Sequence, residues 1–475
     1  MPDGSDHPPV SGPAPDLSAR RRGLSGGQAV IAVLTVMGLC GAALAAPDLL
    51  TAVIVQGLWG VFLIAGVWRI LAVAISTPKP PPPPLPADRL PPYAVIAALR
   101  HEAAMIPQLV ERLSRLDYPV GRLRGFLVIE ADDAQTLAAA RACERPAWLS
   151  VLVAPPGAPM TKPRALNIAL SRVTGGLVTV YDAEDDPDPG QLREAAARFE
   201  HGHPRLACLQ APLRIRSPAH PARRRPFLDR QFAAEYAALF EVILPALSRL
   251  GLPFPLGGTS NHFRVEVLRG VGGWDPWNVT EDADLGFRLW RRGWRLGVMS
   301  APTWETPPGG MYAWLPQRTR WLKGFMQTCL VHMRAPWGLG WRGLVSLHLT
   351  LGMALMAAAL HAGAVALLLA LTIAALSCGL APAMPPTAVL VLIAGMASSW
   401  LSAWVGCRRA GIPYGPGDMA AAPLYWSIFS LAFAHALWRL IRQPFAWDKT
   451  PHLPDEAVGD AHGGHAPDRT GRQAA

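Results

Sequence analysis

The sequence predicts an α/β domain with an open, mostly parallel sheet, inserted between transmembrane helices. Two observations lead to this prediction. Long apolar blocks lie towards both ends of the 475-residue chain, in which 51% of the residues are hydrophobic and only 16% are charged. Between these blocks, over residues 93–310, short apolar runs alternate with amphipathic segments. Such alternation is typical of strands and helices that build a parallel sheet.

The apolar blocks predict about six transmembrane helices. Residues 28–76 hold two segments that are each long enough to cross a hydrocarbon core, which takes about 20 helical residues. Residues 343–441 hold about four more, because the stretch 344–378 is long enough for two spans. A signal peptide is the alternative for the first segment, since Arg20, Arg21 and Arg22 precede it.

An even number of spans would place both ends of the chain and the central domain in the cytosol, with the spans in the inner membrane. The basic residues before the first span and the cytosolic tail 442–475 fit this orientation. Arg408 and Arg409 would then lie outside. A single span over 344–378 would bring these two arginines inside but move the tail outside, and the sequence leaves this alternative open.

The connecting segments differ from the domain in composition. Residues 1–27 are rich in proline, glycine and serine and predict a disordered tail, and the proline-rich residues 77–92 predict an extended linker. The six cysteines are scattered without a CxxC pair, which argues against a zinc site or a disulfide framework. The net charge of +10 suits a domain that lies against anionic lipid and handles phosphorylated substrates, rather than one that binds nucleic acid.

Acidic residues follow three of the predicted strands. One acid after a strand is usually a turn residue or a helix cap. Three such strand ends in one domain indicate a cleft, because ligands of open α/β sheets bind beyond the carboxyl ends of the strands. Carboxylates this close favour a divalent cation with oxygen ligands, Mg²⁺ or Mn²⁺, which arrives with substrate phosphates. The acids are Glu102, then Glu130, Asp132 and Asp133, then Asp182, Glu184, Asp185 and Asp186.

Seven short motifs between about residues 93 and 330 resemble the family 2 inverting glycosyltransferases. They are most similar to the membrane-embedded processive branch of cellulose, hyaluronan and poly-N-acetylglucosamine synthases. The resemblance implies a GT-A-like domain that binds a nucleotide sugar. In chain order the motifs are RHE, EADD, KPRALN, YDAEDDPDP, LGGTSNHFR, TED (280–282) and QRTRW (317–321).

The resemblance also implies roles for individual residues. Asp282 of the TED motif would be the general base, and its apolar surroundings would raise its pKa towards a useful range. The metal would be held by Asp182 together with Glu184 or Asp185. Nucleotide-sugar contacts would come from Glu102, Asp133, Lys162, Asp182, Gln317, Arg318 and Arg320, and acceptor contacts from Trp321, Glu281, Thr280, Gly258 and Thr259.

By this resemblance the protein moves a sugar from a nucleotide-diphosphate sugar, such as a UDP-sugar, to a growing β-linked polysaccharide. Export of the product would involve periplasmic or outer-membrane partners. One alternative is a glycolipid synthase that adds one or a few sugars to a lipid acceptor. A second is a non-catalytic scaffold of an export assembly, because the metal motif reads Asp182-Ala-Glu184-Asp185 rather than DxD.

Two helices are predicted around the last motifs. Thr280 is placed to cap a helix that runs to about Arg292, with Gly293 ending it, so that the Asp282 carboxylate is aimed into the cleft. Residues 311–342 carry tryptophan and leucine among basic residues, a composition that suits an amphipathic helix in the membrane interface. A helix packed in the core is the alternative.

Overall fold

The computed structural model describes residues 10, 12–216, 226–378 and 385–446. Its strands form a seven-stranded sheet in the order β3-β2-β1-β4-β8-β6-β9 and a three-stranded sheet in the order β5-β10-β7. The strands are β1 Tyr93–Leu99, β2 Leu123–Glu130, β3 Leu149–Ala154, β4 Leu177–Val180, β5 Asp186–Pro187, β6 Leu206–Gln210, β7 Leu213–Ile215, β8 Asn261–Arg264, β9 Arg295–Val298 and β10 Thr303–Glu305.

Helices cover both the sheet and the two ends of the chain. They are α1 Gly26–Ala45, α2 Pro47–Ile75, α3 Ile106–Ser114, α4 Ala134–Ala142, α5 Lys162–Leu170, α6 Gln191–His201, α7 Phe227–Ala238, α8 Leu244–Arg249, α9 Val265–Gly270, α10 Glu281–Arg291, α11 Met311–His332, α12 Gly340–Leu347, α13 Met353–Cys378, α14 Pro386–Ala410 and α15 Pro416–Arg442. A π-helical turn, Leu239–Ile243, joins α7 to α8, and another, His348–Gly352, joins α12 to α13.

The large sheet is mostly parallel, as the sequence predicts. β1 pairs in parallel with β2 on one side and with β4 on the other, and β8 is the strand that runs against its neighbours. β1 and β4 are apolar and almost wholly buried because helices cover both faces of the sheet. Since β2, β1 and β4 are neighbours, the acids that follow them meet at one edge.

Five helical stretches in the described residues are long and apolar enough to cross a membrane, by length and composition alone. The sequence predicts about six spans, and the difference lies in residues 344–378. There α12, the π-helical turn and α13 continue without a break, so the stretch makes one span instead of two. The stretch holds no proline, so no residue removes a hydrogen-bond donor or forces a turn within it.

Four of the five apolar helices form two pairs. α14 packs against α2, and α15 packs against α13. Within the described part of the chain, neither helix of one pair packs extensively against a helix of the other. The space between the pairs is therefore available for a ligand.

The N-terminal tail differs from the predicted disorder over residues 12–25. Ser18 Oγ donates to Asp275 Oδ1 (2.9 Å), and the Ala19 N–H donates to Asp275 Oδ2 (2.7 Å). Arg334 donates to the backbone carbonyl of Ser18 (2.8 Å). A polar composition does not reveal that this segment satisfies a buried carboxylate of the domain. Residues 1–9 and 11 and the tail beyond residue 446 lie outside the described residues.

Candidate active site

A single cavity of about 1620 Å³ begins at the carboxyl edge of the large sheet and extends between the apolar helices α2, α13 and α14. The side chains predicted for the site line this cavity, with two exceptions. Asp133 and Asp185 are not among the lining residues. The structure thus brings the RHE, KPRALN, YDAEDD, LGGTS, TED and QRTRW motifs to one place, although more than 200 residues separate the first motif from the last.

Lys162, the first residue of α5, is the basic centre of the acid cluster. Its Nζ forms an ion pair with Asp182 and donates a hydrogen bond to the carbonyl of Gly258 (2.8 Å). Burial acts to lower the pKa of Lys162, but the negative charges of Asp182, Glu281 and Asp282 outweigh it and hold the pKa above its ordinary value. Lys162 therefore stays charged beside three carboxylates and can meet a phosphate.

The TED motif opens α10. Thr280 precedes the helix, but its side chain makes no capping bond, which differs from the prediction. Its hydroxyl instead packs against α11 and lies 3.4 Å from Asn278 Oδ1. The Asp282 carboxylate accepts from the Ala283 N–H (2.7 Å) and so fixes its own direction. The end of the helix is as predicted, since Gly293 follows with a φ of 78°.

Glu281 and Asp282 form a pair of carboxylates with raised pKa values. Burial and the charge of Asp282 raise the pKa of Glu281 to about 8. Burial also raises the pKa of Asp282, although the Ala283 N–H, Lys162 and Arg320 act against it. Burial thus favours a proton on Glu281 near neutral pH, while the Ala283 N–H, Lys162 and Arg320 favour the charged form of Asp282. A Cβ atom at Gly258 would lie 3.3 Å from Asp282 Oδ2, so the glycine leaves room beside the carboxylate.

Asp284 links the TED helix to α11. Arg288 Nε donates to its Oδ2 (2.5 Å), and His332 Nε2 lies 3.1 Å from its Oδ1. Both partners hold the pKa of Asp284 below its ordinary value, although burial alone would raise it. This contact has no signal in the sequence, because His332 is 48 residues away from Asp284 in the chain.

The acids of the YDAEDD segment fit the binding of a hard cation. Asp185 Oδ2 accepts from the backbone N–H of Asp182 (2.6 Å) and from the Thr259 hydroxyl. Its Oδ1 is buried and has no hydrogen-bond partner among the described residues. Burial, and then the charges of Asp182 and Glu184, raise the pKa of Asp185 well above its ordinary value. This excess of carboxylate oxygen is the donor set that Mg²⁺ and Mn²⁺ prefer.

Glu305, at the end of β10, is an acid that sequence reasoning missed. Its pKa is raised well above the ordinary value by burial and by the charges of Asp185, Glu184 and Asp182. It belongs to the three-stranded sheet, whose pairing with the YDAEDD segment has no signal in the sequence. Within the described residues no three His, Cys, Asp or Glu side chains are arranged as a metal-binding group. The remaining ligands of a cation would thus come from substrate phosphates.

Asp133 has a different position from the one predicted. It caps α4, accepting from the Thr136 N–H (3.2 Å), and it also accepts from the His101 N–H (2.5 Å). It therefore holds the loop of the RHE motif. The acid of the same segment that lines the cavity is Glu130, which accepts from Arg164 Nη1 (3.0 Å).

Arg318 and Arg320 of the QRTRW motif have different surroundings. The guanidinium of Arg318 is bound by both oxygens of Glu235 (2.7 Å each) and lies over the rings of Trp321 and Phe232. Because the paired N–H donors of the Arg318 guanidinium already bind a carboxylate, the structure does not favour the predicted contact with phosphate. Arg320 instead lines the cavity, and its charge lowers the pKa values of Glu281 and Asp282.

The other two motif residues point to ligand contact. Gln317 lines the cavity, and its buried Oε1 has no hydrogen-bond partner among the described residues. Trp321 also lines the cavity and packs beside Phe232 and Tyr236. The helix that carries them, α11, packs against both α10 and α15, so the alternative of a core helix describes it better than the interfacial one.

The sheet, its acidic edge and the flanking apolar helices define a GT-A-like fold within a protein of membrane-associated type. A mannosyltransferase from Pyrobaculum calidifontis, solved in complex with GDP-mannose and Mn²⁺, has the same fold, with a TM-score of 0.53 and 19% identity over 81% of this chain and 97% of that one. Residues 177–404 match the family described as glycosyl transferase family group 2. Just under half of the chain is thus similar to family 2 glycosyltransferases.

Relatives with assigned activities fall into two groups. The β-monoglucosyldiacylglycerol synthase of Synechocystis is 29% identical over 290 residues, which are 59% of this chain and 58% of that protein. The poly-β-1,6-N-acetyl-D-glucosamine synthase of Staphylococcus aureus is 26% identical over 164 residues, 34% of this chain and 38% of that protein. The chain spans less than two thirds of the length of either relative, so both products are open to test for this protein.

Proposed function

We propose that this protein is a glycolipid synthase that moves a sugar from a nucleotide-diphosphate sugar to a lipid in the membrane. The observation that carries the proposal is the cavity, which joins the acids at the sheet edge to a cleft between apolar helices. Diffusion within the bilayer would bring a lipid into such a cleft. The similarity to a β-monoglucosyldiacylglycerol synthase supports the same acceptor class.

The walls of the cleft suit acyl chains. They are formed by apolar side chains such as Phe62 of α2, Leu368 of α13 and Leu392 of α14. The two helix pairs enclose the cleft between them without packing closely together in the described residues. Apolar side chains gain from contact with hydrocarbon, whereas a hydrated polysaccharide would lose hydrogen bonds along them.

The residues at the sheet edge supply the chemistry of an inverting transfer. The acceptor hydroxyl oxygen attacks the anomeric carbon, its proton passes to the Asp282 carboxylate, and the bond from that carbon to the diphosphate breaks. Attack from the face opposite to the leaving group inverts the anomeric configuration, so an α-linked donor gives a β-linked product. Lys162 and Arg320 offset the charge of the departing nucleoside diphosphate.

The metal motif completes this proposal. Asp182, with either Glu184 or Asp185 as the second ligand, would hold Mg²⁺ or Mn²⁺ at the donor phosphates. When bound, the cation would act as a Lewis acid on the diphosphate oxygens.

Elongation of a β-linked polysaccharide is the second candidate function. Trp321, Phe232 and Tyr236 present neighbouring aromatic rings, and Trp321 and Tyr236 line the cavity, as expected for contacts with sugar rings. The similarity to a poly-N-acetylglucosamine synthase supports this reading. It would also require export partners, for which the described residues provide no separate argument.

The test is transfer by the purified full-length protein. It is supplied with Mg²⁺ or Mn²⁺, a panel of labelled UDP- and GDP-sugars and a mixture of membrane lipids. The proposal expects a labelled product that is extracted with the lipids and carries one or a few sugars. A water-soluble product of high molecular mass would contradict it and support the polysaccharide reading.

Two aspartate variants make the test specific for the site. Asp282→Asn keeps the size of the side chain but removes the base, so we expect transfer to fall by about 10²- to 10⁴-fold. Asp117→Asn is the matched control, because Asp117 is exposed, pairs with Arg193 and does not line the cavity. Equal activity of Asp282→Asn and the wild type would exclude Asp282 as the base. Absence of transfer by the wild type would favour the scaffold alternative.

A further inference from the structure

Arg69 is a charged residue within the apolar helix α2, and neither the fold nor the proposed chemistry accounts for it. Its side chain lines the cleft rather than the outer surface of the helix bundle. Among the described residues it has no hydrogen-bond or ion-pair partner. A charge inside a membrane-spanning segment is costly unless it meets water or a counter-ion, and such residues mark ligand sites.

The depth of Arg69 matches that of a lipid phosphate. α2 has 29 residues and ends at Ile75, six residues beyond Arg69. A helix of that length measures about 44 Å, close to the roughly 40–45 Å of a bilayer with its headgroups. Six residues from the end correspond to about 9 Å, which is near the boundary between headgroups and hydrocarbon.

Two other arginines at this membrane surface, Arg408 and Arg409, are accounted for. Arg409 donates to the carbonyl groups of Ser76 (3.0 Å) and Glu241 (2.7 Å), so it joins α14 to α2 and to the domain. Arg408 is exposed and lies over the ring of Trp404. Arg69 differs from both because its guanidinium faces a cavity large enough for a lipid.

We propose that Arg69 binds the phosphate of an anionic membrane lipid in the cleft, and that this lipid is the acceptor. The inference rests on the proposed function and specifies its substrate class, a lipid whose headgroup carries both a phosphate and a free hydroxyl. The guanidinium binds phosphate through paired hydrogen bonds. The headgroup hydroxyl loses its proton to Asp282 and attacks the anomeric carbon, and the nucleoside diphosphate leaves. A neutral diacylglycerol would leave the arginine without a counter-ion.

The experiment compares phosphatidylglycerol with a diacylglycerol that has the same acyl chains, each in neutral detergent with the purified full-length protein. Arg69→Gln removes the charge, and Arg69→Lys keeps it without the paired donors. Arg408→Gln is the matched control at the same membrane surface. We expect Arg69→Gln to lower kcat/KM for phosphatidylglycerol by on the order of 10- to 100-fold, the loss of one charge-assisted contact. The kcat/KM of Arg69→Lys for phosphatidylglycerol should lie between those of the wild type and Arg69→Gln. KM for the nucleotide sugar should not change.

Three results would overturn the inference. The first is that the wild type uses diacylglycerol as well as it uses phosphatidylglycerol. The second is that Arg69→Gln uses both lipids as the wild type does. The third is that Arg408→Gln loses as much activity as Arg69→Gln. The first two leave a lipid acceptor, and hence the proposed function, intact.

A binding measurement separates the inference from the proposed function. Native mass spectrometry reports which lipids stay bound to the protein without any turnover. The inference expects phosphatidylglycerol to be retained by the wild type and lost by Arg69→Gln. Retention that does not depend on Arg69 would overturn it, whatever product the enzyme makes. A polymeric product would contradict the proposed function alone.

Discussion

Glu281 and Asp282 are adjacent in the chain but hold their protons differently. The pKa of Glu281 is raised to about 8 by burial and by the charge of Asp282. Below that pH Glu281 is neutral. Above it, a second negative charge appears beside Lys162, which stays protonated because its pKa lies above the ordinary value.

This pair predicts a pH dependence at the donor site. KM for the nucleotide sugar should rise on the order of tenfold as the pH passes from 7 to 9, because an added charge a few ångströms away repels the diphosphate. Glu281→Gln stays neutral at all pH values, so its KM should not rise. Initial rates at several donor concentrations and pH values check this. A parallel rise in both proteins would show that another group titrates, and exposed Glu200→Gln serves as the control.

At the residue scale, the sequence predicts which side chains meet but not what each one contacts. The order of the motifs and the strand ends suffices to bring Glu102, Lys162, Asp182 and Asp282 together. The sequence gives no signal for the ion pair between Arg318 and Glu235, because 83 residues separate the two. Only the packing of α11 on its neighbours decides which arginine of QRTRW faces the cavity.

At the element scale, the contact between α10 and α11 sets the position of the TED motif. Gly324 of α11 lies directly against Thr280. A Cβ atom at Gly324 would come within 2.3 Å of the Thr280 hydroxyl oxygen, closer than real contacts allow. The two helices are also joined by Asp284 and His332. Displacing one helix from the other would therefore move Asp282.

Gly324→Ala should separate these helices and misplace the base. We expect kcat to fall by about tenfold or more, with a loss of about 1–3 kcal/mol in the free energy of unfolding from overpacking. Steady-state kinetics and thermal unfolding measure the two effects. Gly417→Ala is the control, since a Cβ atom there meets no other atom within 4 Å. An unchanged kcat in Gly324→Ala would show that Thr280 yields without moving Asp282.

At the scale of the whole molecule, both described ends of the chain contact the same domain. Residues 18 and 19 bond to Asp275, and Lys323 of α11 donates to the carbonyl of Ala446 (2.7 Å). Five full crossings would put the ends on opposite sides of a membrane. α15 resolves this conflict, because Asp418 near its start pairs with Arg230 (2.7 Å) and its end meets α11. We infer that α1, α2, α13 and α14 cross and that α15 lies along the domain.

This arrangement predicts which positions a membrane-impermeant thiol reagent can reach. In intact cells, from which reactive native cysteines have been removed, Asp48→Cys between α1 and α2 should be on the side opposite to the domain. Gln443→Cys, after α15, should lie on the same side of the membrane as Glu200→Cys on the domain surface, so the reagent should label both or neither. Labelling of Gln443→Cys together with Asp48→Cys would mean that α15 crosses as a fifth span. The sequence alone counts α15 as a span because hydropathy does not distinguish a crossing helix from one that packs on a domain.

The contact between the C-terminal end and the domain also bears on the order in which the site is assembled during synthesis. Phe445 lines the cavity, and its ring lies 5.0 Å from that of Trp277, just before the TED motif. Gln327 holds the adjacent carbonyl of Pro444 (2.9 Å). Residues 444 and 445 leave the ribosome only after α15, long after every proposed catalytic carboxylate. A chain that is still being synthesised therefore already contains its catalytic acids but lacks the part of the cavity wall formed by Phe445. The active site is completed only once α15 is in position.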